Sequence, residues 1–439
     1  MLQATSCEAG LCEAGQFEAG ARMRVLVIGS GGREHALAWA LSASPLLSKL
    51  WVTPGNPGTA LVAENLGIAA MHTERLVQFA RENEVDLVVP GPEGPLVAGL
   101  VDAMAQAGIR CIGPTAAAAR LEGSKAFTKQ LCDDASIPTA LWERFTDADE
   151  ACAFIRRRGA PIVVKADGLA SGKGVVVAAT VEEAEAAVGM MMRDRSFGDS
   201  GACVVIEECL AGEEVSLFAL CDGTDAVFLG AARDYKRAGD GDTGPNTGGM
   251  GALSPVPGFD PGPAMDGFIR PALAEMARRG TPFRGILFAG LMLTPGGAKL
   301  IEYNVRLGDP ECQALLPLLR SDLLPALLAA CDGELGRFDL RWRTGASVAV
   351  VMTAPGYPAA PELGSDVGDL SAAAAVPGAL VFQAGTRFDS GHLLADAGRV
   401  LTICGTGADL AAARAVAYQA VELVPWTEGS YRSDVGLHP

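Results

Sequence analysis

Short runs of β-branched residues alternate with helical stretches from Met23 onward, and this alternation constrains the fold more than any other feature. The segments RVLVIG, KLWVTPG, VDLVVPGPE and IRCIGP are typical of buried strands, and the segments between them are typical of helices. Strands that alternate with helices predict a parallel, doubly wound α/β sheet, which here ends near Pro114. Ligands on such sheets bind at the carboxyl ends of the strands, which are rich in glycine and proline in this chain.

The pattern changes near residue 115 to a mixture of helices and strands, which predicts further domains of the α+β type. A chain of 439 residues is also too long for one hydrophobic core. The segment GACVVIEECLAGEEVSLFALC is expected to be antiparallel. The expected division is a disordered leader over residues 1–22, a Rossmann-like substrate-binding domain over 23–124, a central two-lobed domain over 125–340 with one lobe near 140–215, and a small C-terminal α+β domain over 341–439.

Charge and cysteine content restrict the partners. The net charge of −17 disfavours binding to nucleic acid and to anionic membranes, so any phosphate must be held locally by a few cationic groups. No apolar run approaches the length that crosses a bilayer. The eleven cysteines form no CxxC pair, which predicts free thiols in a reducing cytoplasm. We therefore expect a cytoplasmic protein with small-molecule partners.

The first strand is followed by GSGGREH, which resembles a dinucleotide fingerprint but departs from it. Gly29 and Gly31 fit the pattern GxGxxG, whereas the third glycine is replaced by Glu34. The second strand also lacks the acidic residue that would bind a ribose. The helix N-terminus above Gly31 and Gly32, with Arg33 beside it, suits a single phosphate better. A tight turn without a ligand remains the alternative.

The stretch KADGLASGKG lies between two apolar runs and is rich in glycine and lysine. It is not a Walker A loop, because only three residues separate Gly168 from Gly172–Lys173 and Gly174 occupies the Ser/Thr position. A glycine-rich loop between antiparallel strands predicts instead a flap that covers a triphosphate with backbone donors. Lys165 ends the first strand and needs an anionic partner if it is buried. A surface hairpin with solvated lysines is the alternative.

The segment VVIEECLAGEEVS is typical of a strand that bends and then resumes. The first strand ends at Glu207 and Glu208, the bend runs through Leu210 and Gly212, and the second strand resumes at Glu214. Backbone groups at such a bend can read an adenine edge, and a carboxylate a few residues later can bind ribose hydroxyls. A solvated strand edge is the alternative interpretation.

The segment KLIEYNVRLGDPE carries the strongest local signal. Side chains alternate across a strand, so this segment is expected to present two faces. One face carries Lys299, Ile301, Tyr303 and Val305, and the other carries Glu302, Asn304 and Arg306. Glu302 and Asn304 supply hard oxygen ligands for a Mg²⁺ ion that also binds phosphates. Arg306 can hold a carboxylate or phosphate, and Asp309 can meet an amine. An exposed strand with an incidental ion pair is the alternative.

Flap, hinge and metal strand in this order resemble the ATP-grasp superfamily, and the details resemble the phosphoribosylamine–glycine ligase family. The matching motifs extend over residues 23–435 and include VLVIGSGGREHALAW, GPTAAAARLEGSKAFTK, VVKADGLASGKGVVVA, DYKRAGDGDTGPNTGGMGALSP and EYNVRLGDPE. The resemblance implies ATP-dependent ligation of glycine to 5-phosphoribosylamine through glycyl phosphate, the second step of de novo purine synthesis. It also implies a Mg²⁺ or Mn²⁺ cofactor and a monomer.

The resemblance assigns expected roles residue by residue. The expected ATP contacts are Lys125, Lys165, Gly168, Gly172, Lys173, Gly174, Glu207, Leu210 and Glu214. The expected metal ligands are Glu302 and Asn304. The expected substrate contacts are Gly31, Gly32, Arg33, Glu34, Glu93, Asn246 and Gly308. The expected catalytic residues are Arg306, Asp309 and Lys236, with Asp234 near the reacting phosphate.

Three positions depart from the family pattern. Tyr303 and Val305 replace a phenylalanine and a cysteine on the expected core-facing side of their strand, where packing should absorb them. Tyr235 replaces a histidine, which removes a titratable group beside Lys236. Two alternatives to the implied activity stay open at this point. They are another carboxylate–amine ligase of the ATP-grasp type and a non-catalytic nucleotide sensor on the same fold.

Overall fold

The computed structural model describes residues 22–170 and 174–437. The predicted leader lies outside the described residues apart from Arg22, and so do Gly172 and Lys173 of the predicted flap.

The N-terminal domain is built on the parallel sheet that the alternating pattern predicted, with a fifth, two-residue strand that was not predicted. Its strands are β1 (Met23–Gly29), β2 (Leu47–Pro54), β3 (Glu64–Asn65), β4 (Leu87–Pro90) and β5 (Arg110–Cys111). Its helices are α1 (Gly32–Ser42), α2 (Thr73–Glu82), α3 (Glu93–Val97) and α4 (Leu100–Gln106). The order β3-β2-β1-β4-β5 places β1 at the centre, where Val25 to Ile28 are fully buried because helices cover both faces. The sequence predicted one helix for α3 and α4, but Gly99 at φ 86° interrupts it.

A four-stranded antiparallel lobe follows. Helices α5 (Ala116–Gly123) and α6 (Lys125–Asp134) lead into strand β6 (Trp142–Phe145), helix α7 (Ala148–Arg158), strands β7 (Ile162–Ala166) and β8 (Val175–Ala178), helix α8 (Val181–Val188) and strand β9 (Val204–Glu208). The strand order is β6-β9-β7-β8. The glycine-rich stretch joins β7 to β8, which pair antiparallel with Lys165 opposite Val175. This is the arrangement that the sequence predicted for a flap.

A second sheet of eight antiparallel strands crosses the rest of the molecule. The next elements are β10 (Glu213–Asp222), β11 (Ala226–Asp234), β12 (Arg237–Gly239), β13 (Thr243–Asn246), β14 (Gly251–Ser254), α9 (Pro261–Ala264), α10 (Arg270–Arg278), β15 (Arg284–Thr294), β16 (Gly297–Asn304), α11 (Glu311–Leu315) and α12 (Leu323–Asp332). They are followed by β17 (Ala346–Thr353), α13 (Ser371–Ala374), β18 (Ala379–Gln383), β19 (Thr386–Asp389), β20 (His392–Ala395), β21 (Arg399–Gly407) and α14 (Leu410–Glu422). The strand order is β16-β15-β10-β11-β14-β17-β21-β18, so the sheet continues from the central region into the C-terminal region.

The segment expected to be antiparallel does form antiparallel strands, but β9 and β10 belong to different sheets and do not pair with each other. The chain passes from one sheet to the other at Gly212. A Cβ atom at this position would lie 2.1 Å from the carbonyl oxygen of Leu293, so only glycine fits where the chain crosses β15. The bend that the sequence predicted is therefore a change of sheet.

One hydrophobic core joins all three regions. Val27 of the N-terminal sheet, Phe218 of β10 and Phe382 of β18 belong to the same buried cluster. The four-stranded lobe has a separate core, which includes Ile155 and Ile206. The region between the lobe and the shared core holds the candidate site. Within residues 22–170 and 174–437, none of the helices is both long and apolar enough to cross a membrane.

Candidate active site

A cavity of about 410 Å³ opens where the N-terminal domain, the four-stranded lobe and the eight-stranded sheet meet. Most of its polar lining comes from charged side chains of all three regions. The charged residues are Arg33, Glu93, Glu122, Lys125, Lys129, Glu207, Asp234, Lys236, Glu302, Arg306, Asp309, Glu311 and Arg399. Leu169, Ala170 and Gly174 bring the two described ends of the predicted flap to the same cavity.

Two buried lysines share one carboxylate at the lobe side of the cavity. The Nζ atoms of Lys129 and Lys165 lie 2.8 Å and 3.0 Å from the two carboxylate oxygens of Glu207. All three residues are at most 4% exposed. Lys129 also donates to the hydroxyl of Thr139 at 2.7 Å. Glu207 is thus the anionic partner that a buried Lys165 requires.

A third lysine marks the entrance to the predicted flap. Lys125 begins α6, and its Nζ donates to the carbonyl oxygen of Gly168 at 3.1 Å. Burial lowers the pKa of Lys125, although Glu302 partly opposes that shift. Burial also lowers the pKa of Lys129, against the effect of Glu207. The lobe side of the cavity therefore brings three ammonium groups, Lys125, Lys129 and Lys165, near one another with Glu207, and a phosphate chain could neutralise the excess positive charge.

The predicted metal pair lies on the opposite wall. Burial alone would raise the pKa of Glu302, but Lys165, Lys125 and Lys236 outweigh it and the net pKa is lowered. The Asn304 amide donates to Glu302 Oε1 at 3.5 Å, so both side chains face the same space. An ionised carboxylate and an amide oxygen near these lysines fit a divalent cation that keeps its remaining positions for phosphate and water. Among the described residues, no cluster of three or more His, Cys, Asp or Glu side chains forms an all-protein cage.

The predicted alternation along β16 is interrupted. The pairing with β15 shifts between Gly290 and Leu291, so Glu302 lies opposite Gly290 and Leu300 lies opposite Leu291. Ile301 is bulged out of the ladder and lines the cavity next to Glu302, although the sequence placed it on the core-facing side. A bulge adds a residue to one strand and redirects the next side chains.

Arg306 is held by acidic side chains between the metal pair and the N-terminal domain. Its guanidinium donates to Glu93 at 3.2 Å, to Glu122 at 2.9 Å and to Asn304 Oδ1 at 3.2 Å. Burial alone would raise the pKa of Glu93, but Arg306 and Arg33 reverse that shift and lower it. Burial raises the pKa of Glu122, which Arg306 only partly offsets. The guanidinium is therefore fixed in one orientation facing the cavity.

Lys236 occupies the far end of the same wall. Its Nζ lies 2.7 Å from Asp234 and 2.8 Å from Glu214, and these carboxylates raise its pKa despite burial. Burial and the charge of Asp234 raise the pKa of Glu311 to about 7. Glu214, predicted to hold ribose, is here the ion-pair partner of Lys236.

Glu34 of the N-terminal motif places its carboxylate at the N-terminus of its own helix, α1. The backbone N–H of Gly31 donates to Glu34 Oε2 at 2.6 Å, and Arg33 Nε donates to Glu34 Oε1 at 2.6 Å. Glu34 is only 2% exposed, and a Cβ atom at Gly91 would lie 1.8 Å from its Oε1 atom. Its side chain fills the space above β1 and β4, which agrees with the argument against a dinucleotide site. Arg33 and Glu93 line the cavity, whereas Gly32 is covered by Gln313 of α11.

The remaining predicted residues divide between the cavity and its surroundings. Gly308 and Asp309 line the cavity, and Asp309 accepts a hydrogen bond from Gln313 at 2.6 Å. Asn246 is exposed in β13, opposite Arg237, and does not line the cavity. Leu210 lies at the bend between the two sheets and is also outside the lining.

Sequence reasoning did not single out four charged residues of the cavity. Lys129 follows Lys125 by one helical turn, a spacing that could have indicated a second inward lysine. Glu122 and Glu311 lie within quoted motifs but have no distinctive spacing. Arg399 has no local signal, because it reaches the cavity from the C-terminal region and donates to the carbonyl oxygen of Gly248 at 2.6 Å.

The three residues that depart from the family pattern are all buried. Tyr303 and Val305 are each 1% exposed and pack in the core, as expected. Tyr235 is also buried, and its hydroxyl accepts a hydrogen bond from the N–H of Gly436 at 2.9 Å. Its side chain therefore packs against the C-terminal segment, whereas the neighbouring Lys236 faces the cavity.

Comparison with known proteins agrees with this architecture over nearly the whole chain. The family description phosphoribosylglycinamide synthetase matches in three parts: its N domain over residues 23–122, its ATP-grasp (A) domain over 123–312 and its C domain over 347–438.

Curated relatives and solved structures point to the same family. A relative from Brucella melitensis named phosphoribosylamine–glycine ligase is 55% identical over 417 residues, which cover 94% of this chain and 97% of the relative. One of the same name from Mesorhizobium japonicum is 52% identical, with coverages of 94% and 98%. A crystal structure of phosphoribosylamine–glycine ligase from Thermotoga maritima superposes with a TM-score of 0.83 at 34% identity, covering 94% of this chain and 100% of that one.

A more distant likeness concerns the fold alone. The biotin carboxylase domain of a Hydrogenobacter thermophilus 2-oxoglutarate carboxylase is 16% identical with a TM-score of 0.72, covering 93% of this chain and 92% of that one. The family matches and the close relatives together span the folded regions described above. The chain therefore belongs to the phosphoribosylglycinamide synthetase family and has its ATP-grasp architecture.

Proposed function

We propose that this protein ligates glycine to 5-phosphoribosylamine at the expense of ATP, giving N1-(5-phosphoribosyl)glycinamide, ADP and phosphate in purine biosynthesis. The observation that carries the proposal is the cavity that Lys125 and Lys129 line together with Glu302, Asn304 and Arg306. The names of the close relatives support the choice of substrates. The proposal places the protein in the cytoplasm as a monomer.

The chemistry requires two displacements. A carboxylate oxygen of glycine attacks the γ-phosphorus of ATP, the bond to the β–γ bridging oxygen breaks, and ADP leaves. The amine nitrogen of phosphoribosylamine then attacks the carbonyl carbon of glycyl phosphate. The carbon–oxygen bond to phosphate breaks, and the nitrogen loses a proton. Neither displacement needs a covalent enzyme nucleophile, so the protein contributes positioning and charge stabilisation.

The positions of the charged side chains support a role for each. Lys125 and Lys165 neutralise the ATP phosphates, and the resemblance adds Lys173, which lies outside the described residues. Arg306 is fixed by Glu93 and Glu122 and brings positive charge to the cavity, where it can stabilise a carboxylate or an acyl phosphate. Lys236 carries positive charge at the opposite end of the cavity, and Asp309 can accept a hydrogen bond from an amine.

The substrate phosphate is assigned to the N-terminal side of the cavity. Arg33 lines the cavity at the start of α1, where the Gly31 N–H is already satisfied by Glu34. Phosphoribosylamine therefore depends on the Arg33 side chain and on Glu93 more than on free backbone donors. Asn246, on the exposed β12–β13 hairpin, would reach a substrate only if that hairpin moves toward the cavity.

Glu302 and Asn304 would hold a divalent cation, and we propose Mg²⁺ or Mn²⁺. When bound, such an ion neutralises charge on the nucleotide phosphates. The lowered pKa of Glu302 keeps its carboxylate ionised near neutral pH, which is the form that a cation requires.

The decisive experiment measures ADP release by the purified protein with ATP and Mg²⁺. Phosphoribosylamine is generated in situ, and glycine and phosphoribosylamine are supplied separately and together. We expect ADP release only when both are present, in amounts equal to those of the phosphoribosylglycinamide product. Release that is supported by formate in place of glycine would reject the assignment, and so would nucleotide binding without any turnover.

Variants of the metal pair separate this site from a contaminating activity. Glu302→Ala and Asn304→Ala should each lower turnover by at least about a hundredfold, because charge stabilisation of phosphoryl transfer is lost. Glu64→Ala removes an exposed ion pair with Lys49 in the N-terminal domain and serves as the control. Wild-type turnover in both metal-pair variants under saturating Mg²⁺ would place the cation elsewhere.

A further inference from the structure

The hairpin β12–β13 and its flanking residues form a loop, residues 234–250, that contributes one wall of the cavity. Asp234, Lys236, Thr247 and Gly248 line the cavity. The N–H and hydroxyl of Thr247 both donate to the carbonyl oxygen of Lys236, at 2.7 Å and 2.8 Å, so the base of the loop is closed. The outer part is exposed from residue 240 to 246. The loop needs an outside support to hold Lys236 in place.

The end of the chain supplies that support. Residues 430–436, here called the C-terminal strap, begin at Ser430, which forms two backbone hydrogen bonds with Thr353 of β17. The strap then crosses onto the loop. Ser433 N–H donates to Asp240 at 2.8 Å, and Gly241 N–H donates to Asp434 at 2.8 Å. The strap and loop are thus linked in both directions by donors and acceptors.

Arg432 is the centre of this junction. Its side chain is 1% exposed, and its guanidinium donates to Asp434 at 2.6 Å and 2.7 Å, to Asp242 at 2.7 Å and to the carbonyl oxygen of Arg237 at 3.1 Å. The Tyr235 ring stacks against the guanidinium with 4.9 Å between the ring centroid and the Cζ atom. The planar guanidinium of Arg432 donates hydrogen bonds in several fixed directions at once and so holds the strap and the loop in one arrangement. A lysine ammonium cannot do this.

Residues of the C-terminal region also hold the strap in place. Tyr418 of α14 donates to the carbonyl oxygen of Arg432 at 2.6 Å and accepts from the N–H of Val435 at 3.1 Å. Val435 is fully buried, and a Cβ atom at Gly251 would lie 2.8 Å from its methyl carbons. The strap is therefore fixed to the C-terminal core, and its contacts with the loop restrict the movement of the loop.

We propose that the C-terminal strap positions the 234–250 loop, with Arg432 as the positioning residue that holds Lys236 at the cavity. Arg432 contacts Arg237 and Tyr235, the two neighbours of Lys236 in sequence, on the side away from the cavity. Loss of its guanidinium frees the hairpin and lets the Lys236 ammonium leave the Asp234–Glu214 pair. The effect on turnover rests on the proposed ligase function, whereas the effect on loop structure does not.

The first test is limited trypsin digestion of the full-length protein without ligands. Trypsin cuts after Lys236 and Arg237, and cleavage in a folded protein follows the population of the opened loop. We expect Arg432→Ala to accelerate cleavage at these two bonds at least about tenfold, because a buried charge network is broken. Arg387→Ala is the matched control, since Arg387 also pairs with two carboxylates in the C-terminal region but is exposed. It should leave the cleavage rate unchanged.

The second test compares kinetic constants. Arg432→Ala should lower kcat at least about tenfold and change KM for ATP less than about threefold, because Lys125 and Lys165 are held by other elements. Arg432→Lys keeps the charge but not the fork and should give intermediate values. If Arg432→Ala does not fold, Asp242→Asn, which removes one exposed partner, should shift both readouts in the same direction by less.

Each outcome decides a separate statement. Wild-type tryptic cleavage in Arg432→Ala and Asp242→Asn would overturn the strap. Faster cleavage with wild-type kcat would overturn the positioning role. A wild-type protein that shows no glycine-dependent ADP release would refute the proposed ligase activity, while the digestion experiment would still decide whether the strap holds the loop.

Discussion

His35 shows how a side chain in a motif can serve the fold. It ends the GSGGREH motif, but its Nδ1 atom accepts a hydrogen bond from the N–H of Gln383 at 2.9 Å, and its ring meets Phe382 edge-on at 5.5 Å. Burial lowers its pKa to about 4. The imidazole is therefore neutral in the folded protein at pH 7 and connects α1 to β18.

This pKa gives a pH dependence with a definite sign. An unfolded histidine titrates near 6.5, so between pH 6.5 and 4 the unfolded chain binds a proton that the folded protein excludes. The contribution of the neutral His35 ring to the free energy of unfolding is fully present above pH 6.5 and declines as the pH falls to 4. From pH 7 to 5 the loss amounts to about 2 kcal/mol. His35→Gln, which keeps an acceptor, should remove that part of the loss in urea unfolding.

The exposed His72 provides the control, because His72→Gln should leave the pH dependence unchanged. An equal loss of stability from pH 7 to 5 in wild type and His35→Gln would contradict the assignment of the effect to this ring.

At the residue scale, the sequence predicted side chains whose chemistry depends on short spacing. Glu302 and Asn304 lie two apart on one strand, and the structure places both in the cavity. Arg399 could not be predicted, since its cavity position depends on how β21 packs beside α11. Its guanidinium lies 3.5 Å from the Asp309 carboxylate, which is 90 residues away in the chain. Ile301 was misplaced because a bulge has no signature in the alternation of polar and apolar residues.

At the element scale, Glu207 connects α6, β7 and β9 through one carboxylate. Lys129 comes from α6 and Lys165 from β7, and both are paired with Glu207 of β9. The neighbouring Glu208 pairs with Lys299 at 2.6 Å, but both of those side chains are about one-third exposed. The two adjacent carboxylates of β9 thus belong to different ion pairs, one buried and one partly exposed.

We expect Glu207→Gln to lower the free energy of unfolding by about 3–5 kcal/mol, because two buried ammonium groups lose their counter-charge. Glu208→Gln should lower it by less than about 1 kcal/mol. Chemical denaturation at constant pH measures both. Similar losses in the two variants would show that the Lys129–Glu207–Lys165 group is not buried in the folded protein.

Element types were easier to predict than their pairing. The strand–helix alternation predicted the parallel sheet and its strands β1, β2, β4 and β5, since the central strands β1 and β4 are buried and read as apolar runs. The two-residue strand β3 was not predicted. The strands β9 and β10 carry equally clear signals, but which sheet each joins depends on the close approach of Gly212 to Leu293. These two residues are about eighty positions apart in the chain, so their contact leaves no local pattern in the sequence.

At the scale of the whole molecule, the eight-stranded sheet and the shared core make one unit of regions that look separate in the sequence. β14 of the central region pairs with β17 of the C-terminal region over four residue pairs, and α1 packs between β18 and α11. The four-stranded lobe has its own core. The cavity lies between this lobe and the larger unit, so lobe movement can open it without disturbing the rest.

Native-state hydrogen exchange should therefore resolve two cooperative units. Amides of β1, β10, β17 and β21 should exchange with one common, high opening free energy, and amides of β7 and β9 with a lower one. Phe382→Ala, in the shared core, should lower the first value by about 3–5 kcal/mol in strands of all three regions. Ile206→Ala should lower only the lobe value, by about 2–5 kcal/mol. If Phe382→Ala affects only the C-terminal strands, the three regions unfold independently and the shared core does not couple them.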